Sequence, residues 1–263
     1  MKAYWSLMSA RFQMLLQYRG AAAAGFCTQL FWGLIRVMIF DAFYCSSSSP
    51  QPMAFRDVVT YIWLGQAMLG MLPWNADRDI RAMNRTGTVV YELLRPVDLY
   101  TYWFTRAFAM RTAPTLLRAI PMFAVAGAFL GLRAPDSWAA ACAWAVATVA
   151  ALFLSCALST LINISLLWTI SGDGVSWLLP TAVSALSGMI VPLPFFPEWA
   201  KPLIELLPFR GLVDIPFRLY TGHIPPSEAI SVLTHQFVWA GTLIVLGRLF
   251  LARGTRRLVV QGG

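Results

Sequence analysis

Charge is scarce in this sequence: Asp, Glu, Lys and Arg together make up 12 % of its 263 residues. A water-soluble domain carries roughly 25 %, and with less there is too little polar surface to cover a water-facing globule. That argues against a soluble enzyme. Disorder is excluded too, because apolar residues make up 58 % of the chain and the mean hydropathy is +0.63. Lysine is nearly absent, at positions Lys2 and Lys201 only, and no G-x-x-x-x-G-K-[ST] stretch exists. Nucleotide hydrolysis by the P-loop route is therefore closed to this chain. Histidine is limited to His223 and His235, and the four cysteines (Cys27, Cys45, Cys142, Cys156) contain no C-x-x-C pair. A structural zinc site is not expected. H-E-x-x-H and G-x-S-x-G are likewise missing. No catalytic residue, metal or cofactor of its own is expected, and the chain is not expected to be an enzyme.

What is present is a series of apolar runs near the length of about 20 residues that a membrane crossing needs. The fold class expected is all-α integral membrane with six transmembrane helices, at about 21–44, 58–74, 112–132, 138–162, 175–191 and 230–251. The uncharged stretch Trp138 to Ser171 is too long for one span and too short for two with a loop; counted on through the surface turn Gly172-Asp173-Gly174 to Val191, it gives the fourth and fifth, with a short interfacial piece carrying Trp168 between them. Residues 1–20 carry Lys2, Arg11 and Arg19 among Tyr4, Trp5, Leu7, Met8, Phe12, Leu15 and Leu16 at roughly helical spacing. This reads as an N-terminal interfacial amphipathic helix and not as a signal peptide. The whole of 1–263 is one transmembrane domain.

Net charge is +8, and its distribution sets the topology. Twelve basic residues fall in 1–20, 75–111 and 252–263, and five in 45–57, 133–137 and 192–229. Basic residues collect on the cytoplasmic side. Both termini and the 75–111 loop are thus expected in the cytoplasm and the 192–229 segment outside, with no nucleic-acid partner implied by the positive balance. Arg36 and Arg118 lie inside spans, where arginine is expensive. They either line a translocation path or subunit interface, or snorkel, with Asp41 as an imperfectly placed partner for Arg36. Asp77 and Asp79 read as a solvated helix start. Gly127 and Gly131 have the spacing of a close helix contact.

Two stretches carry a specific likeness. The loop contains Gly87-Thr-Val-Val-Tyr-Glu92-Leu-Leu94-Arg95-Pro96-Val-Asp98. The later segment contains Pro192-Leu-Pro-Phe-Phe-Pro197-Glu-Trp199, then Pro208-Phe209, Pro216 and Tyr220-Thr-Gly222. With six spans and an interfacial helix, this resembles the ABC-2 type permease family, closest to small bacterial permeases with an L-L-R-P-x-[DN] motif. The resemblance implies a permease subunit, an exporter, multi-pass in the bacterial cytoplasmic membrane. It implies that a second permease chain, identical or not, pairs with it, and that separate ATP-binding subunits supply ATP and Mg. It implies an ATPase-coupling loop between spans 2 and 3, here carried by Asp77, Arg78, Arg81, Arg85, Glu92, Leu94, Arg95, Pro96 and Asp98. The extracellular re-entrant hairpin would carry Pro192, Pro197, Trp199, Pro208, Phe209, Pro216 and Gly222. From the residues alone, Arg95-Pro96 ends one helical segment and Asp98 caps the next, which makes a stiff elbow. A six-span channel or ion-driven carrier without an ATPase partner is the alternative.

Overall fold

An apolar chain withdrawn from water must satisfy its backbone internally, and a helix does so within one segment. The computed structural model describes residues 2–17, 19–169 and 173–256, and every regular element among them is helical. Gly172 of the expected surface turn and Arg257 of the basic tail lie outside the described residues. In order the α-helices are α1 (Lys2–Gln17), α2 (Arg19–Ser46), α3 (Phe55–Met68), α4 (Arg78–Arg85), α5 (Val90–Leu93) and α6 (Leu99–Phe129). They continue with α7 (Trp138–Ser165), α8 (Asp173–Leu186), α9 (Lys201–Leu206), α10 (Asp214–Tyr220) and α11 (Ala229–Thr255).

Among the described residues four stretches are long and apolar enough to cross a membrane: Gly20–Ser46, Leu99–Phe129, Trp138–Ser165 and Pro226–Thr255. They correspond to the expected first, third, fourth and sixth spans. The other two are shorter than expected. α3 has 14 residues, about 21 Å at 1.5 Å each, against a hydrocarbon core of about 30 Å. A tight 3-10 turn (Leu69–Met71) follows it, and Pro73 prevents further helix. Length matters little for α3 because it does not meet lipid: Val58 through Ala67 are buried without a break. α8, also 14 residues, stops before Gly188, whose φ of +88° turns the chain away. A Cβ at Gly188 would strike the Tyr61 hydroxyl, so the backbone approaches α3 there as only glycine allows.

The third span differs in the other direction. The span is expected from about 112, as the continuation of a segment that Asp98 caps; one helix runs unbroken from Leu99, so Arg106 and Arg111, counted with the 75–111 loop, lie inside α6. Their charge is absorbed by partners: Arg106 by carboxylates, Arg111 by the Ser159 hydroxyl and the Asn75 carbonyl, both at 3.3 Å. At the far end of α6 the expected Gly127–Gly131 helix contact is not made within the chain. Gly127 has nothing close to it, and Gly131, at φ +79°, is the left-handed residue that ends the helix.

The alanine-rich α7 is the central post, touching α6, α10 and α11. Small side chains let backbones close up where no hydrophobic effect drives helices together. The largest core joins Tyr61, Ile62 and Leu64 of α3 to Leu154 and Leu158 of α7, Phe217 of α10 and Leu243 of α11. α2 is peripheral, and its outer face presents Phe31, Trp32, Leu34, Met38 and Ile39.

The bundle has two unlike ends. At the basic end stand α1, α4, α5 and the starts or finishes of α6, α7 and α11, linked by Arg11–Asp79 (2.8 Å) and Arg248–Asp98 (3.2 Å). At the proline-rich end Arg133 pairs with Asp57 at 3.0 Å and offers its carbonyl to the Tyr220 hydroxyl at 2.8 Å. The proline-rich segment does not lie flat there. α10 and the 3-10 turn Pro208–Leu212 reach down against α7, with the Phe217 ring edge-on to Tyr61 at 5.1 Å. Gln236 of α11, fully buried, donates to the Gly211 carbonyl (2.6 Å) and the Ala147 carbonyl (3.0 Å), joining three elements at one amide.

Candidate functional site

The loop between α3 and α6 is built as a braced elbow at the basic end. Its first support is Asp77. The carboxylate caps α4 by accepting from the backbone amides of Asp79 (2.9 Å) and Ile80 (3.4 Å). The same group accepts from Arg106 Nε at 2.9 Å and Nη2 at 2.8 Å. Asp77 is 5 % and Arg106 3 % exposed, which corrects the expectation of a solvated start: the pair is buried. Arg106 also reaches Asp79 at 3.0 Å, and Arg11 of α1 binds the same Asp79 oxygen at 2.8 Å. That bond to Arg11, with Arg106 beside it, holds the Asp79 carboxyl below the usual carboxylate range despite partial burial. From the other side the Asn163 side chain accepts the Asp77 amide at 2.8 Å, and Asn84 donates to the Leu166 carbonyl at 2.6 Å. The elbow is thereby tied to α1, α6 and α7 together.

Gly87 at φ +72° turns the chain from α4 into α5. Glu92 of α5 faces inward and accepts from the Trp103 indole at 2.6 Å. Arg95 folds back over the Tyr102 ring, 5.2 Å from its centroid, with Nη1 donating to the Tyr102 hydroxyl at 2.6 Å. Helix α5 ends at Leu93, before Arg95-Pro96. Asp98 caps α6 through the Thr101 amide (2.9 Å) and hydroxyl (2.5 Å). Burial works against the ionised Asp98. The Thr101 bonds and Arg248 outweigh it and keep its carboxyl below the usual range. The Tyr4 hydroxyl accepts the Asp98 amide at 2.9 Å, so α1 clasps the elbow at both ends.

With its polar groups turned inward, the elbow shows a mixed face outward. Tyr91 (69 % exposed), Leu94 (75 %), Leu93 and Pro96 are displayed beside the exposed Arg78, Arg85 and Arg95. Arg81, also named from the sequence, is half-buried on α4. Among the residues named from the sequence, Asp77, Glu92, Arg95 and Asp98 hold the elbow's shape, while Leu94 and Pro96 form its tip. Sequence reasoning missed Tyr4, Arg11, Tyr102, Trp103, Arg106 and Asn163. A signal existed for three of them: Tyr102, Trp103 and Arg106 share a helical face directly after the Asp98 cap.

Of the proline-rich residues, Pro192, Pro208 and Pro216 are buried, Phe209 packs on the main core, and Pro197 and Trp199 stand at the rim. Gly222, at φ +77°, turns the chain against Asp136, where a Cβ would come within 3.0 Å of the carboxylate. Arg36 does not pair with Asp41, which is exposed; its Nη2 donates to the Ile190 carbonyl at 2.8 Å. Arg118 lies over Gly25 of α2. Arg36 borders a cleft between α2, the end of α3 and residues 189–191, and Arg118 borders an adjoining one that shares Leu69 and Trp74 with it.

Helices long and apolar enough to cross a membrane, with a braced loop at one end and a folded-in segment at the other, define a multi-pass helical membrane protein. The family model described as "ABC-2 family transporter protein" matches residues 30–262. The chain belongs to the ABC-2 transporter family. No curated protein and no solved structure matches it.

Proposed function

We propose that this chain is the permease subunit of an ATP-binding cassette exporter, that α3 and α8 complete six crossings, and that the elbow docks onto a separate ATPase. The observation that carries this reading is the division of labour within the elbow. Its carboxylates are spent on holding shape, which frees Tyr91, Leu94 and Pro96, with neighbouring arginines, for a partner. A small apolar patch ringed by cations suits a soluble partner with an apolar socket and an acidic rim. Because Arg106 ties the elbow to the second turn of α6, displacement of α4 and α5 is passed to a membrane-length helix.

By the excess of basic residues the elbow end is cytoplasmic, with both termini there, in the bacterial inner membrane. The proline-rich segment then forms the outer cap. The chain itself hydrolyses nothing; ATP and Mg are handled by the partner. A second permease chain would complete the path, with the exposed apolar face of α2 available to it and to lipid.

The test is co-purification from native membranes in mild detergent. A P-loop ATPase at about one copy per permease is expected, with loss of capture on Tyr91→Ser/Leu94→Ser. Repeated recovery of this chain alone would overturn the reading and turn attention to ion flux in liposomes.

A further inference from the structure

One stripe of α2 faces α3 and α6. It carries Gly25, Gln29, Gly33 and Arg36, at i, i+4, i+8 and i+11, which a helix places on one side. Each rung is polar or makes room for a polar group. At Gly25 the Arg118 guanidinium fills the space of the missing side chain, with Cζ 2.6 Å from where a Cβ would sit. Gln29 is 3 % exposed, and neither its amide nitrogen nor its oxygen has a partner. Gly33 makes room for the Trp63 ring, which an added Cβ would strike, and beside it for Gln66, whose Cγ would be 3.1 Å away and whose Oε1 has no partner among the described residues. Arg36 closes the ladder at the top. Eleven residues of helix make it about 16 Å tall.

The ladder borders an apolar cleft of about 470 Å³ whose wall includes Trp32, Ile39, Phe40 and Met189. The cleft runs on past Leu69 and Trp74 to Arg118. Among the described residues, neither Arg36 nor Arg118 forms an ion pair with a carboxylate. The Nε of Arg118 is buried without a partner. Cations and amides left unpaired at membrane depth are costly and mark sites of use.

We propose that this cleft binds an anionic amphiphile. Its phosphate or carboxylate headgroup takes the guanidiniums and free amides of the ladder, and its chain lies on the apolar wall toward the bilayer. A guanidinium fork matches such oxyanions in geometry and charge. The two arginines at different heights allow a headgroup to be held at either end. Only the transport role of the cleft rests on the permease reading; binding itself is tested without an ATPase.

Purified chain in detergent is titrated with chain-labelled phosphatidylglycerol and, in parallel, with phosphatidylcholine carrying the same label. The anionic lipid should bind at least tenfold more tightly. Arg36→Gln and Arg118→Gln should each weaken it about tenfold, about 1.4 kcal/mol, and Arg56→Gln, on the exposed start of α3, should not. Phosphatidylglycerol with a brominated chain should quench wild-type fluorescence more than that of Trp32→Phe, a comparison that leaves both arginines in place. Equal binding of the two lipids, or unaltered binding in both arginine variants, would overturn the proposal. So would displacement of the lipid by millimolar inorganic phosphate, which would make the site one for small anions. A disulfide between two Ile39→Cys copies that shuts out lipid would assign the cleft to a second copy and overturn it as well. Stimulation of a co-purified ATPase by the bound lipid would identify cargo, and binding without stimulation a resident lipid; both support the site. Failure to recover an ATPase bears on the permease reading alone.

Discussion

Asp77 is a helix cap and an ion-pair partner at once, and this makes it sensitive to substitution. Removing one member of a buried pair leaves the other charge stranded, at about 3–5 kcal/mol. Arg106→Ala is expected to lower stability in detergent by that amount, and Asp77→Ala by less, because Arg106 keeps Asp79 at 3.0 Å. The double variant should lose less than the sum, because neither charge is then left alone; thermal unfolding of the four proteins checks it. Asp79 is more exposed and responds to pH. Its carboxyl sits below the usual range in the folded chain. Its contribution is therefore complete above the ordinary value of about 3.9 and is lost as pH falls through the folded value. Wild type should melt above Asp79→Asn at pH 7, and the gap should close on acidification below about 4. A gap that persists at low pH would show that Arg11 and Arg106 do not act through the charge of Asp79.

Among the elements, α5 tests whether shape and docking are separate. Glu92→Ala strands the Trp103 indole and should cost about 1–3 kcal/mol. Tyr91→Ser/Leu94→Ser touches only exposed side chains and should leave the melting temperature within a degree or two while abolishing ATPase capture. The same loop shows how much was legible in sequence. The Arg95-Pro96 break and the Asp98 cap rest on local chemistry, and the elements stand where that chemistry requires. The helix start at Leu99 follows from the Asp98 cap, but the partners of Arg106 and Arg111 are not visible in a list of residues. Whether an arginine is solvated or neutralised depends on Asp77, 29 residues upstream, and on packing that no local pattern encodes. That α3 is enclosed by protein is not legible in sequence, because hydropathy reports apolarity and cannot tell a helix that meets lipid from one packed inside the bundle. For the cleft, the two arginines were visible in sequence but not their juxtaposition. Gln29 and Gln66, single amides in apolar runs, were the unused signal.

For the molecule as a whole, the basic end is drawn together by α1 and α11, the first and last helices, through Tyr4, Arg11 and Arg248. These contacts are exposed or half-exposed and are weakened by salt. Deletion of residues 1–17 is expected to leave the central core folded and to loosen the elbow. Faster proteolysis at Arg78 and Arg85 in membranes, with an unchanged melting transition of the core, is the readout. Equal proteolysis with and without α1 would show that Asp77, Arg106 and Asn163 brace the elbow unaided.

Gln236 sets an order of events in the making of the protein. The amide that anchors the Gly211 turn and α7 belongs to α11, which leaves the ribosome after both. Until α11 is synthesised and inserted, the proline-rich segment has its apolar partners but not this tether. A nascent chain halted before residue 236 would hold an untethered proline-rich segment, open to proteases, whereas one halted after α11 would not. Insertion of α11 is thus also the step that ties down the proline-rich segment, and a copy halted before it is marked by its own geometry.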